Sequence, residues 1–118
     1  MQQPENRGFL VVRATGAFVG VINISNIVLG LFRSAYLGYY AFAGFERQGL
    51  MRDGLRAVVR HAFNAMKLHR LEANIQPGNA ASIALARSCG FAREGFSPRY
   101  LKIGGRWRDH ERWAILSS

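Results

Sequence analysis

The spacing of apolar and polar positions changes from a period near two to a period near 3.6 and back again along the chain. Residues 8–14, GFLVVRA, are β-rich, Thr15-Gly16 gives a turn, and AFVGVINI reads as a second strand. SAYLGYYAFAG, residues 34–44, mixes tyrosines with small residues and predicts a third strand with a bulge or a close backbone approach. From Leu55 the helical period takes over. Leu55, Val58, Val59, Ala62, Phe63 and Met66 fall on one face of an amphipathic helix. RLEANI, residues 70–75, is a short strand broken by Pro77-Gly78. Asn79 then sits as the N-cap of a helix through AASIALARSC, which Gly90 ends. FAREGF, RYLKIG and WRDHERWAIL read as closing strands. The predicted order is β-β-β-α-β-α-β-β, a mixed α/β fold.

The chain has 118 residues, enough for one domain with a modest core, and the pattern shows no repeat or linker that would divide residues 1–118. The apolar run AFVGVINISNIVLGLF is interrupted by Asn23, Ser25 and Asn26, which argues against a membrane span. MQQPENRGFL lacks the apolar core of a secretory signal, and the single cysteine, Cys89, suits a reducing compartment, so a cytoplasmic protein is expected. A formal charge of +9 favours polyanions: nucleic acid, ribosome, anionic lipid or a polyphosphate cofactor.

Charge alone does not choose among these, but one loop narrows the field. In FERQGLMRDGLRAVVRHAF, residues 45–63, Gly49 stands where a helix begins, with arginines on both sides. A helix start offers unpaired N–H groups and the positive end of the helix dipole, a site for phosphate. The loop lacks the Lys-Ser/Thr of a Walker sequence, so triphosphate hydrolysis is not indicated. Taken alone, it fits an ordinary strand-to-helix turn as well. Arg52 lies in the first turn beside the proposed anion, whereas Arg56 and Arg60 read as a solvated stripe.

ANIQPGNAASIALARSCGFAREGF, with its Asn cap, a Ser three residues on and Gly-Phe after the helix, is more specific. Joined to RQGLM upstream, it resembles the GCN5-related N-acetyltransferase (GNAT) superfamily, and within it the bacterial ribosomal-protein alanine N-acetyltransferases. SAYLGYYAF, LHRLEANIQPGNAAS, CGFAREGF and RYLKIGGRWRDHERWAIL carry the resemblance from about Arg7 to Leu116. It implies a mainly antiparallel sheet with two helices, acetyl-coenzyme A as acyl donor, and a protein or peptide N-terminal amine, such as that of a ribosomal protein, as acceptor. It implies pantetheine on the backbone of Ala41, Phe42 and Ala43, where strand 35–43 splays from its neighbour. It also implies pyrophosphate on the N–H groups of Arg47, Gln48, Gly49, Leu50, Met51 and Arg52, and Asn79 against the cofactor arm. Relative to this family the chain is N-terminally truncated, lacking the usual first strand and helical pair that shapes the acceptor groove. Glu46 stands where the family has Gln or Arg, so weakened cofactor binding is expected.

Acetyl transfer needs a neutral amine, a polarised thioester carbonyl and a proton for the departing thiolate. An α-amine with pKa about 7.8 is roughly 14% neutral at pH 7, against about 0.04% for a lysine near 10.4. A backbone N–H near Phe42 is the expected polarising group. Tyr100 and Ser82 are the candidate acids; the first also reads as a packed strand tyrosine and the second as an ordinary first-turn serine. Relatives place an acid before the tyrosine, where this chain has Arg99. Glu72 and Asn74 share one strand face, so Glu72 is the candidate base through water, or else a salt-bridge partner.

His61, His69 and His110 show no metal spacing and are expected at or near the surface. Cys89 is expected in packing, and Trp107 and Trp113, on one strand face, in the core or an interface. The competing reading is an inactive basic module that docks on ribosome or RNA; an acetyltransferase of a small amine is another. No membrane contact is expected, and an unpaired sheet edge predicts a homodimer.

Overall fold

The computed structural model describes residues 5–12, 16, 18–42 and 49–117. The elements follow in the order β1 (Glu5–Val12), β2 (Phe18–Val28), β3 (Ser34–Ala41), α1 (Leu50–Asn64), β4 (Arg70–Ile75), α2 (Ala80–Ser88), β5 (Ala92–Ile103) and β6 (Arg106–Leu116). The predicted order of strands and helices stands. The strands form a six-stranded sheet, β1-β2-β3-β4-β6-β5, antiparallel except between β3 and β4. Among the described residues no helix is long and apolar enough to cross a membrane.

Both helices lie against one face of the sheet. Met51, Leu55, Val58, Val59 and Ala62 of α1 are buried with Ile22, Ile24, Ala35, Leu37, Leu71, Ala73, Ile75 and Trp113 of the strands. Period-two alternation therefore sends Ala35, Leu37, Tyr39 and Ala41 of β3 toward the helices and Tyr36, Gly38 and Tyr40 away from them. The burial of β4 alternates in the same way, with Leu71, Ala73 and Ile75 buried and Arg70, Glu72 and Asn74 on the far face. Arg56, on the exposed stripe as expected, also donates from Nη2 to the Ser88 carbonyl at 3.0 Å, closing the end of α2 against α1. Arg87 stacks over Trp113 at 5.4 Å and fixes α2 over β6.

Two local departures from the expected pattern matter for the site. FAREGF and RYLKIG form one strand, β5, and a register shift between Ser97 and Leu101 bends it. Arg99 takes φ 45° there and its N–H donates to Asp109 Oδ1 at 2.9 Å. His110 is buried at 2% exposure, not at the surface, because β6 carries it under β5; its Nδ1–H donates to the Arg108 carbonyl at 3.0 Å. Trp113 is buried, but Trp107, near the β5–β6 turn, is 60% exposed.

Candidate functional site

The site begins with a defect in the sheet. β3 pairs with β4 only at Ser34–Tyr36 against Arg70–Glu72. The rest of β3, residues 37–41, has no strand partner on that side among the described residues, so the two strands part as expected for a splay. On the other side β3 continues against β2 and ends with Phe42, whose N–H donates to the Val19 carbonyl at 2.7 Å. That bond corrects one expectation: the Phe42 N–H is spent on β2 and is not free to polarise a carbonyl. By the alternation of an antiparallel ladder, the backbone groups facing the gap belong to Tyr39 and Ala41.

On the helix side, the gap opens into a cavity of about 620 Å³ lined by Tyr39, Tyr40, Ala41, Gly49, Met51, Arg52, Asn79, Ala80, Ala81, Ser82, Ala84, Leu85 and Ser88. Three backbone features converge on it. Gly49, at φ 75° and ψ −9°, precedes α1 with no side-chain cap. A side chain is strained at that φ, which is why glycine stands there. The first bond of the turn, Asp53 N–H to Gly49 O at 3.2 Å, leaves the N–H groups of Leu50, Met51 and Arg52 ahead of it. At α2, Asn79 Oδ1 accepts the Ser82 N–H at 3.1 Å, confirming the predicted cap. That bond leaves Nδ2 as the donor Asn79 can offer a ligand.

Tyr39 ties these parts together. Its hydroxyl donates to the Ser82 carbonyl at 2.8 Å, and burial pushes its phenol pKa up. The sequence reading missed Tyr39, as well as the small residues Ala80, Ala81 and Ala84 that keep the α2 wall low. Cys89 behaves as expected for packing: burial raises its thiol pKa, and Sγ lies 3.7 Å from the Arg52 carbonyl.

The structure brings Ala41, Gly49, Met51, Arg52, Asn79 and Ser82 to one cavity, with Leu50 beginning the adjoining helix. It does not bring Tyr100 and Glu72 there. Both stand on the other face, across the gap. Bent inward at the β5 irregularity, Tyr100 is bonded to Tyr36, and its ring lies 6.1 Å from that of His110. The bond to Tyr100 is the largest cause raising the Tyr36 pKa. Glu72, adjacent to Tyr36 in the ladder, accepts Arg70 Nη2 at 2.9 Å on Oε1 and Asn74 Nδ2 at 3.3 Å on Oε2. Arg70 also binds Glu94 at 2.7 Å and 2.9 Å; these bonds raise the Arg70 pKa and lower that of Glu94. The salt-bridge alternative for Glu72 is thus realised in the structure. Ala43, Glu46, Arg47 and Gln48 lie outside the described residues.

Among the described residues no cluster of three or more His, Cys, Asp or Glu could hold a metal ion.

Comparison with known proteins adds the following. The family described as acetyltransferase (GNAT) domain matches residues 1–92. The chain is 41% identical over 99 residues to the [ribosomal protein uS5]-alanine N-acetyltransferase of Escherichia coli K12, covering 84% of this chain and 51% of that protein. It is 35% identical over 99 residues to a probable N-acetyltransferase, YjcK, of Bacillus subtilis 168, covering 84% and 55%. Among solved structures, RimJ of Mycobacterium smegmatis in complex with CoA-disulfide matches with TM-score 0.86 and 38% identity, covering 94% of this chain and 54% of that one. A dodecameric spermidine N-acetyltransferase from Vibrio cholerae matches with TM-score 0.85 and 26% identity, covering 96% and 66%. The chain thus spans about half the length of the curated relatives it matches.

Proposed function

Because this chain belongs to the GNAT acetyltransferase family, we propose that it transfers an acetyl group from acetyl-CoA to a primary amine, the N-terminal amine of a protein such as a ribosomal protein. The observation that carries the reading is the cavity joining the unpaired backbone of β3 to the starts of both helices. Its parts fit acetyl-CoA. The N–H groups of Leu50, Met51 and Arg52, uncapped among the described residues, and the Arg52 guanidinium suit a diphosphate. The free backbone edge at Tyr39 and Ala41 suits the amides of pantetheine. A protein N-terminus is supported as acceptor by the likeness to the ribosomal-protein alanine acetyltransferases.

In this reading the neutral amine approaches from the Tyr36 face and its nitrogen bonds to the thioester carbon as the carbon–sulfur bond breaks. The Ala41 N–H faces the gap and stabilises the carbonyl oxygen as it gains charge. Glu72, steadied by Arg70 and Asn74, receives the amine proton through water. The leaving sulfur takes a proton from Ser82 on the cavity side or Tyr100 on the far side. Chain and catalysis are taken to be cytoplasmic and confined to one domain, residues 1–118, with Ala43, Arg47 and Gln48 completing the cofactor loop. A homodimer through the edge of the sheet belongs to the same reading; β1 has a strand partner on one side only among the described residues.

A small-amine acceptor is a second reading, favoured by the likeness to the spermidine acetyltransferases. Mass spectrometry of peptides and spermidine incubated with the chain and acetyl-CoA tests both. Acetylated peptide N-termini support the first reading, and acetylspermidine alone supports the second. No transfer to either would favour a basic docking module. Ser82→Ala and Tyr100→Phe, assayed singly and together, assign the proton donor.

A further inference from the structure

Gly38 stands in the middle of β3 for no reason that the described residues supply. Its register is regular, facing Asn23 between the Leu37–Ile24 and Tyr39–Ile22 pairs. Its φ is not among the positive ones, so any residue could adopt the backbone. A Cβ built on it would meet nothing within 4 Å. Neither conformation nor packing calls for glycine, and glycine weakens a strand interior. Contrast Gly20, where a Cβ would lie 2.5 Å from the Tyr40 carbonyl oxygen.

What surrounds Gly38 is informative. It points away from the helices, onto the face opposite the cavity, between Tyr36 at 40% exposure and Tyr40 at 56%. It lies two residues beyond the last β3–β4 pair, at the mouth of the gap. Glu72, Asn74 and Tyr100 line the same face. A side-chain-free floor between two tyrosine walls, beside the point where β3 parts from β4, leaves open space on this face.

We infer that Gly38 is a specificity-determining residue: it makes room for the carbon substituent next to the acceptor amine. The inference rests on the acetyltransferase reading and deepens it. The walls would hold an apolar group of about one or two carbons, such as the side chain of a first-residue alanine, while the amine reaches through the gap. A side chain at position 38 would occupy that space without touching the cavity on the helix side.

The test compares wild type with Gly38→Ala and Gly38→Val. The probes are acetyl-CoA and a panel of acceptors: peptides beginning with Gly, Ala and Leu, and spermidine. We expect thermal midpoints at or above wild type and unchanged acetyl-CoA affinity. The kcat/KM of Gly38→Val for the Ala peptide should fall by at least about tenfold, chiefly through KM, with Gly38→Ala between and the Gly peptide spared. An unchanged acceptor profile in both variants overturns the inference. So does a lowered thermal midpoint, which would make the glycine structural, or a parallel loss of acetyl-CoA affinity, which would give it to the cofactor. Wild type that fails to bind acetyl-CoA overturns the acetyltransferase reading itself. Wild type that binds it but acetylates none of the panel overturns the assignment of this face to an amine acceptor.

Discussion

The hydroxyl of Tyr39 donates to the carbonyl of Ser82 at 2.8 Å, so the middle strand of the sheet holds the first turn of α2 in place beside the gap. The bond is partly buried and crosses the cavity wall. Tyr39→Phe keeps the ring and removes the donor, so the bond between β3 and α2 is lost. A loss of about 1 kcal/mol in unfolding free energy is expected, measured by urea denaturation, together with weaker acetyl-CoA binding as the α2 wall loosens.

Gly20 lies where β2 and β3 approach the start of α1. A Cβ there would meet the Tyr40 carbonyl oxygen and the Met51 sulfur, each at 2.5 Å. A flexible Met51 side chain can yield more readily than the backbone carbonyl. Gly20→Ala should therefore cost about 1–3 kcal/mol, read as a lower thermal midpoint. It is the reverse of the behaviour expected at Gly38.

Tyr36 titrates above its ordinary value, chiefly through its bond to Tyr100. Removing that bond in Tyr100→Phe should bring Tyr36 back toward 10.0, seen as earlier tyrosinate absorbance in an alkaline titration. The sign follows from the raised folded value. The stabilisation is present below the unfolded pKa and is lost as pH rises through the higher folded one. The difference in stability between wild type and variant should therefore shrink in strongly alkaline solution and stay constant near neutrality.

The acid side follows the same linkage with the opposite sign. Glu94 is held below its ordinary value by Arg70. Its contribution is present above the unfolded carboxylate pKa and fades as pH falls through the lower folded one. Glu94→Gln should flatten the acid limb of the stability profile and leave the alkaline limb unchanged, as followed by thermal unfolding across pH.

The element order, the Asn79 cap and the apolar face of α1 were legible because each depends on neighbours within a turn or two of the chain. α1 begins at Leu50, earlier than its clear periodicity from Leu55, because a single buried residue, Met51, anchors its polar first turn. Part of the cavity lining was legible too, since Gly49 and Asn79 mark helix starts that need special backbone or capping chemistry. Tyr39 was not, because its role depends on a contact 43 residues away. Nor was the separation of Ser82 from Tyr100 and Glu72 across the sheet, which depends on strand order and on a bend at Arg99. Parity alone did not separate Trp107 from Trp113: one ring is buried in the core and the other is exposed near the β5–β6 turn.

The most direct test of the central claim is calorimetric titration of acetyl-CoA into wild type, Gly49→Glu and Arg52→Ala, with thermal midpoints recorded for each. A carboxylate at position 49 would repel the diphosphate, and φ 75° would strain it, so the midpoint guards against simple misfolding. Micromolar binding to wild type, lost in folded Gly49→Glu and weakened in Arg52→Ala, is the predicted result. No heat from wild type, or equal binding by all three, would contradict a cofactor seated between β3 and the starts of the two helices.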